Sequence, residues 1–120
     1  MAGKLVIDTL QDSSGNSGSA TDAIKGSAKA WVNYNGTAAT IRASHNVASV
    51  TKNATGDYTI NFTNALADAN YVPTTMQRPV LNATEHIRYN TATTTSFRCT
   101  NTNSSNTNTD TDIVLVAIFR

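Results

Sequence analysis

From Ala28 to Met76 the chain alternates apolar and polar residues with a period of two, and turn residues interrupt the alternation. Only an extended backbone sends successive side chains to opposite faces, so the pattern predicts short strands and leaves no stretch for a long amphipathic helix. Ala28, Ala30, Val32 and Tyr34 share one face, with Lys29, Trp31 and Asn33 on the other, until Asn35-Gly36 breaks the run as a hairpin signal. Thr40 to Ser44 reads as the return strand and Val47 to Thr51 as the next. Thr55-Gly56-Asp57 then turns the chain into Tyr58 to Phe62, the cleanest alternation of all. Leu66 to Asn70 reads as a loop or a turn of helix, and Tyr71 to Met76 as a strand that Pro73 marks as an edge.

Beyond this region, Glu85 to Tyr89 and Ser96 to Thr100 read as two further strands, and the polar tract Asn101 to Thr111 as a mobile loop. The last strand, Asp112 to Phe119, differs from the rest. Ile113, Leu115, Ala117 and Phe119 are apolar on one side, and Val114, Val116 and Ile118 on the other. Such a strand must be covered on both faces. One face meets the protein's own core and the second needs an arm, a loop or another subunit; Val114, Val116 and Ile118 are taken as the face that meets other copies.

The 120 residues are enough for one domain. Short strands at regular spacing predict an all-β fold, an antiparallel β-sandwich (jelly-roll-like) of about eight strands with an extended N-terminal arm, helix making up less than about a tenth of the chain. A closed barrel is the rival architecture. The sandwich occupies 28–120 and the arm with its linker 1–27. Within the arm, Leu5, Val6 and Ile7 form a short apolar segment, and the Gly- and Ser-rich stretch from Gln11 to Ser19 reads as a flexible linker. Left free, Leu5 and Ile7 would be exposed to water, so the segment is expected to dock on something. As an alternative, Lys4 to Leu10 supplies the first strand of the protein's own sandwich. Thr21 to Lys25 allows one helical turn capped by Thr21.

Composition narrows the function. Only 14% of residues are charged, against about 25% in an average soluble domain, and the formal net charge is +1. This is no electrostatic footprint for nucleic acid or an anionic membrane. Thr alone contributes 20 residues and Asn 14, so small neutral polar groups replace the usual Lys and Glu on the surface. The longest apolar run, Ile113 to Phe119, is far short of the roughly 20 residues that span a bilayer. With no secretory apolar core near the start, the chain is expected to be soluble and made in the cytoplasm. A single cysteine, Cys99, excludes an intrachain disulfide and reads as a small buried hydrophobe.

Residues that carry chemistry are scattered. His45 and His86 have no metal-ligand spacing, and Ser44, next to His45, points to the opposite face of its strand. Asp57, Asp68, Glu85, Asp110 and Asp112 form no visible pair for general acid and base work. Asn106, Asn108, Asp110 and Asp112 recur at alternate positions and place oxygen donors on one side, but without the glycine and distal glutamate of a calcium loop a solvated loop is expected. Trp31, Tyr34, Tyr58 and Tyr89 are candidate stacking faces for a sugar, balanced against the needs of the core. Neither enzymatic activity, a metal nor a cofactor is expected.

The run Ala28-Lys29-Ala30-Trp31-Val32-Asn33-Tyr34-Asn35-Gly36 resembles the opening of a β module of virion surface proteins in tailed phages, notably those of cyanobacteria and other aquatic bacteria. The similarity continues through Ile41 to Val50, Gly56 to Phe62 and Ala67 to Tyr71, and includes Leu5 to Gln11 and Asp12. It covers roughly residues 5–71. The resemblance implies a non-enzymatic module of the kind found in trimeric tips of tail fibres and in decoration proteins of capsids. The 27 residues ahead of the module are too few for a tail-fibre anchor and shaft, so a homotrimeric capsid decoration (cement) protein is expected. In that reading Leu5, Val6 and Ile7 attach the arm to the particle, Val114, Val116 and Ile118 make the trimer, and the major capsid protein is the partner. Tail proteins are the alternative partner, host surface glycans a further one, and a tail-fibre or tailspike tip or a carbohydrate-binding module the alternative function.

Overall fold

The computed structural model describes residues 3–78 and 85–120. In chain order the elements are β1 (Thr9–Gln11), β2 (Ser17–Ser19), α1 (Ala20–Gly26), β3 (Ala28–Asn35), β4 (Thr40–His45) and β5 (Val47–Ala54). They continue with β6 (Asp57–Phe62), β7 (Val72–Gln77), β8 (Glu85–Ala92), β9 (Ser96–Asn103) and β10 (Val114–Phe119). Strands β3 to β10 make two packed four-stranded antiparallel sheets, ordered β4-β3-β10-β7 and β5-β6-β9-β8. The protein is thus an all-β sandwich, with 6% helix. It is jelly-roll-like in its two layers of four and in the pairing of the first sandwich strand with the last. Three sequential hairpins, β3–β4, β5–β6 and β8–β9, stand where a strict jelly roll nests its strands.

Alternation along the strands decides what enters the core. Ala30, Val32 and Tyr34 of β3 point inward beside Val114, Val116 and Ile118 of β10, while Tyr58, Ile60 and Phe62 of β6 meet them from the second sheet with Phe97 and Cys99 of β9. Tyr34 and Tyr58 pack edge to face, centroids 5.4 Å apart. Strand β7 is an edge, as Pro73 indicates.

Three sequence-based expectations need correction. Val114, Val116 and Ile118 are not an intermolecular face: they are 0, 3 and 1% exposed. Their register sets them opposite Tyr34, Val32 and Ala30, which already face inward, so the outward side of β10 is Leu115, Ala117 and Phe119. The Gly- and Ser-rich stretch is not an open linker but the tip of a hairpin. Asp12 accepts from the Ser14 and Asn16 amides at 2.9 Å and closes the turn that pairs β1 with β2. The tract after Asn101 is exposed over residues 104–108, as a solvated loop would be, but its ends are ordered. Its amides and carbonyls pair internally, Thr109 N to Asn101 O at 3.0 Å and Asn103 N to Thr107 O at 2.9 Å, burying Asn101, Thr102 and Thr111.

Smaller differences have similar causes. The turn after β3 runs over four residues rather than two, because the Asn35 side chain accepts from the Thr37 and Ala38 amides. Gly36 is required there by contact: a Cβ would lie 2.6 Å from both Thr111 O and the Tyr58 hydroxyl. The cap of helix α1 lies two residues earlier than expected, at Ser19 rather than Thr21, its side chain accepting from the Thr21 and Asp22 amides.

Candidate functional site

The arm departs from the sandwich. Leu5, Val6 and Ile7 lie in no strand and are 81, 76 and 38% exposed, so Lys4 to Leu10 is not a strand of the sandwich. With Leu10, Ala20 and Ile24 they line a shallow groove of about 360 Å³. Sequence reasoning missed Ile24; the signal was its spacing of four from Ala20, which places both on one side of α1. The radius of gyration is 17.0 Å, against about 14 Å for a compact domain of this length, as a projecting arm requires.

A second apolar surface lies on the outside of the β4-β3-β10-β7 sheet. Register brings Trp31 and Thr74 to either side of Ala117, and Asn33 and Met76 to either side of Leu115. Together they line an open groove of about 320 Å³. Val72, opposite Phe119, extends the surface along β7. Trp31 is 40% exposed and Met76 66%. His45 sits across from Trp31 on β4.

The outside of the other sheet has a different chemistry. Asn61 Nδ2 donates to Ser49 Oγ and Thr51 Oγ1, both at 3.0 Å, and Asn53 Nδ2 to Thr59 Oγ1 at 2.8 Å. Asn90 Nδ2 reaches Thr100 Oγ1 at 2.5 Å. These neutral side chains satisfy one another across the strands and suit a solvated face.

Four of the acids singled out in the sequence, Asp57, Asp68, Asp110 and Asp112, are each held by a cation of their own. Asp57 accepts two bonds from Arg98, at 2.9 and 2.5 Å, and one from Asn53; the Arg98 bonds hold its carboxyl below the usual range. Asp68 pairs with Arg120, whose hydrogen bonds bring it down to about 2. Burial raises Asp110, but Lys52 at 2.5 Å, the Gly56 amide and the Tyr58 hydroxyl outweigh it, and the net direction is down. Asp112 pairs with Arg78. Glu85 accepts from Asn101 at 3.2 Å. Asn106, Asn108, Asp110 and Asp112 therefore do not converge, Asn106 accepting from Arg88 instead. Among the described residues no three of His, Cys, Asp and Glu cluster as a metal site.

His86 lies on β8 of the second sheet, away from His45. Of the four aromatic candidates, Tyr34 and Tyr58 are buried, and the exposed pair, Trp31 and Tyr89, belong to different sheets and share no platform. Cys99 is buried, and burial pushes its thiol up to about 12. No helix among the described residues is long and apolar enough to cross a membrane.

The molecule is thus an all-β sandwich with two separate apolar surfaces outside its core. No protein-family model matches the chain, and no curated protein or solved structure is significantly similar to it.

Proposed function

We propose that the protein is a non-enzymatic structural component of a tailed-phage virion, a homotrimeric decoration protein on the outside of the capsid. The observation that carries this reading is the projecting arm: three adjacent apolar side chains, Leu5, Val6 and Ile7, are held clear of the sandwich and in no sheet of their own. A hairpin of three-residue strands and a seven-residue helix are too short to be stable alone, so the arm calls for a surface to dock on. In this reading the surface is the major capsid protein, with main-chain pairing at an exposed sheet edge supplying affinity and the apolar side chains filling pockets. A neutral Thr- and Asn-rich sheet then faces solvent, and the apolar sheet serves self-association. The near-zero net charge agrees with a partner that is neither nucleic acid nor an anionic membrane.

Removing residues 1–19 tests the reading. The truncated protein is expected to keep its sandwich and its oligomeric mass, yet no longer to co-sediment with capsid shells that bind the full chain. Undiminished binding by the truncated protein would refute attachment through the arm.

A further inference from the structure

We infer that the outer face of the β4-β3-β10-β7 sheet, centred on Trp31, Leu115 and Ala117, is covered by a second copy of this chain. The inference rests on the self-association reading above and replaces Val114, Val116 and Ile118 with the face that the register leaves outside.

Area is the first argument. The chain exposes 7336 Å², about 1,100 Å² more than the roughly 6,200 Å² expected of a folded monomer of its mass. The projecting arm accounts for part of this excess, and the outer face of the sheet adds Trp31, Val72 and Met76, exposed where a standard interface would take about 800 Å² from each partner. The excess is not spread evenly. Among the described residues, every large apolar side chain left exposed lies in the arm or on this face, except Tyr89.

Chemistry is the second. Trp31, Met76, Leu115 and Ala117 line a groove in which only Asn33, Thr74 and Thr75 are polar; no charged residue lines it, and Arg42 reaches its rim, donating to Asn33 at 3.4 Å. Such a surface resembles the interior of a domain cut in half, the hallmark of permanent association between identical chains rather than of a transient partner. Around a three-fold axis this face of each copy turns toward the other two, so apolar side chains of three sheets close on one another as the two layers of the sandwich already do. The same face on a second copy offers the same side chains. The neutral hydroxyl and amide ladder on the opposite sheet offers a copy no apolar surface.

Light scattering on the full chain and four variants decides the matter. Wild type is expected at a multiple of 12.7 kDa at micromolar concentration. Trp31→Lys and Met76→Lys are expected to fall to the single-chain mass with an unchanged far-ultraviolet circular dichroism spectrum, and Ser49→Lys, on the polar sheet, to keep the wild-type mass. Met76 stands on an edge strand, so if Trp31→Lys fails to fold Met76→Lys carries the result. Variants that fold and keep the wild-type mass overturn the inference while self-association stands. Loss of association on deleting residues 1–19, with Met76→Lys still associated, assigns the contact to the arm and also overturns it. A monomeric wild type overturns both the inference and the self-association on which it rests.

Discussion

Two neighbouring residues on β10 carry opposite burdens. Val116 is 3% exposed between the sheets, and Leu115 lies on the outside beside Met76. A lysine at Val116 places an unpaired charge in the core and costs about 3–5 kcal/mol, enough to unfold a small domain. Val116→Lys is therefore expected to lose its cooperative melting transition, whereas Leu115→Lys keeps it. That both sides of the strand are apolar was legible in the sequence. Which side faces inward was not, because it depends on pairing with β3, and Val32 opposite Val116 becomes informative only once the register is known. Asp57 gives a second prediction at this scale. Its carboxyl is held down by Arg98, so the pair stabilises the fold above the unfolded carboxylate value of about 3.9, and that stability is lost as pH falls through the lower folded value. Asp57→Asn is expected to melt earlier than wild type at neutral pH and to converge with it in acid. Equal separation at both pH values would contradict the assignment.

Turns and loops are where sequence and structure part. The strands were legible because alternation reports two faces whatever lies across from them. The loop after β9 was not, because its order comes from pairing between its own ends, Asn101 to Thr109, and from distant groups: Lys52 meets Asp110, and Arg78 meets Asp112. Polar composition marked it as solvated, and its tip is, but its two ends close over the β5–β6 turn. Gly56 is the point of contact. Its φ is +66°, and a Cβ there would lie 2.6 Å from Asn101 O and 2.7 Å from Thr109 N. Gly56→Ala is expected to cost more than about 1 kcal/mol, through both backbone strain and displacement of the loop. Chemical denaturation checks this, and an unchanged midpoint would show that the loop packs independently of the turn. The arm was half legible in the same sense. Its apolar residues were visible in the sequence, but the hairpin depends on the Asp12 side chain closing a turn that Gly and Ser alone would leave open.

At the scale of the molecule, one chain presents three unlike surfaces: an apolar arm, an apolar sheet and a neutral polar sheet. A protein that binds its own copies, seats them on a lattice and faces water needs each of these once. The two-layer architecture follows from eight short strands with one buried side each, and was legible for that reason. The proposed location on a particle rests on the projecting arm and on the likeness to virion modules suggested by the sequence of residues 5–71, since neither spacing nor charge names a partner. Cryo-electron microscopy of purified virions that contain the protein tests this most directly. Density for the sandwich is expected in repeated three-fold groups over the outside of the shell, joined to the capsid lattice through residues 3–26; its absence from the particle, or its presence at the tail alone, would contradict a capsid decoration protein.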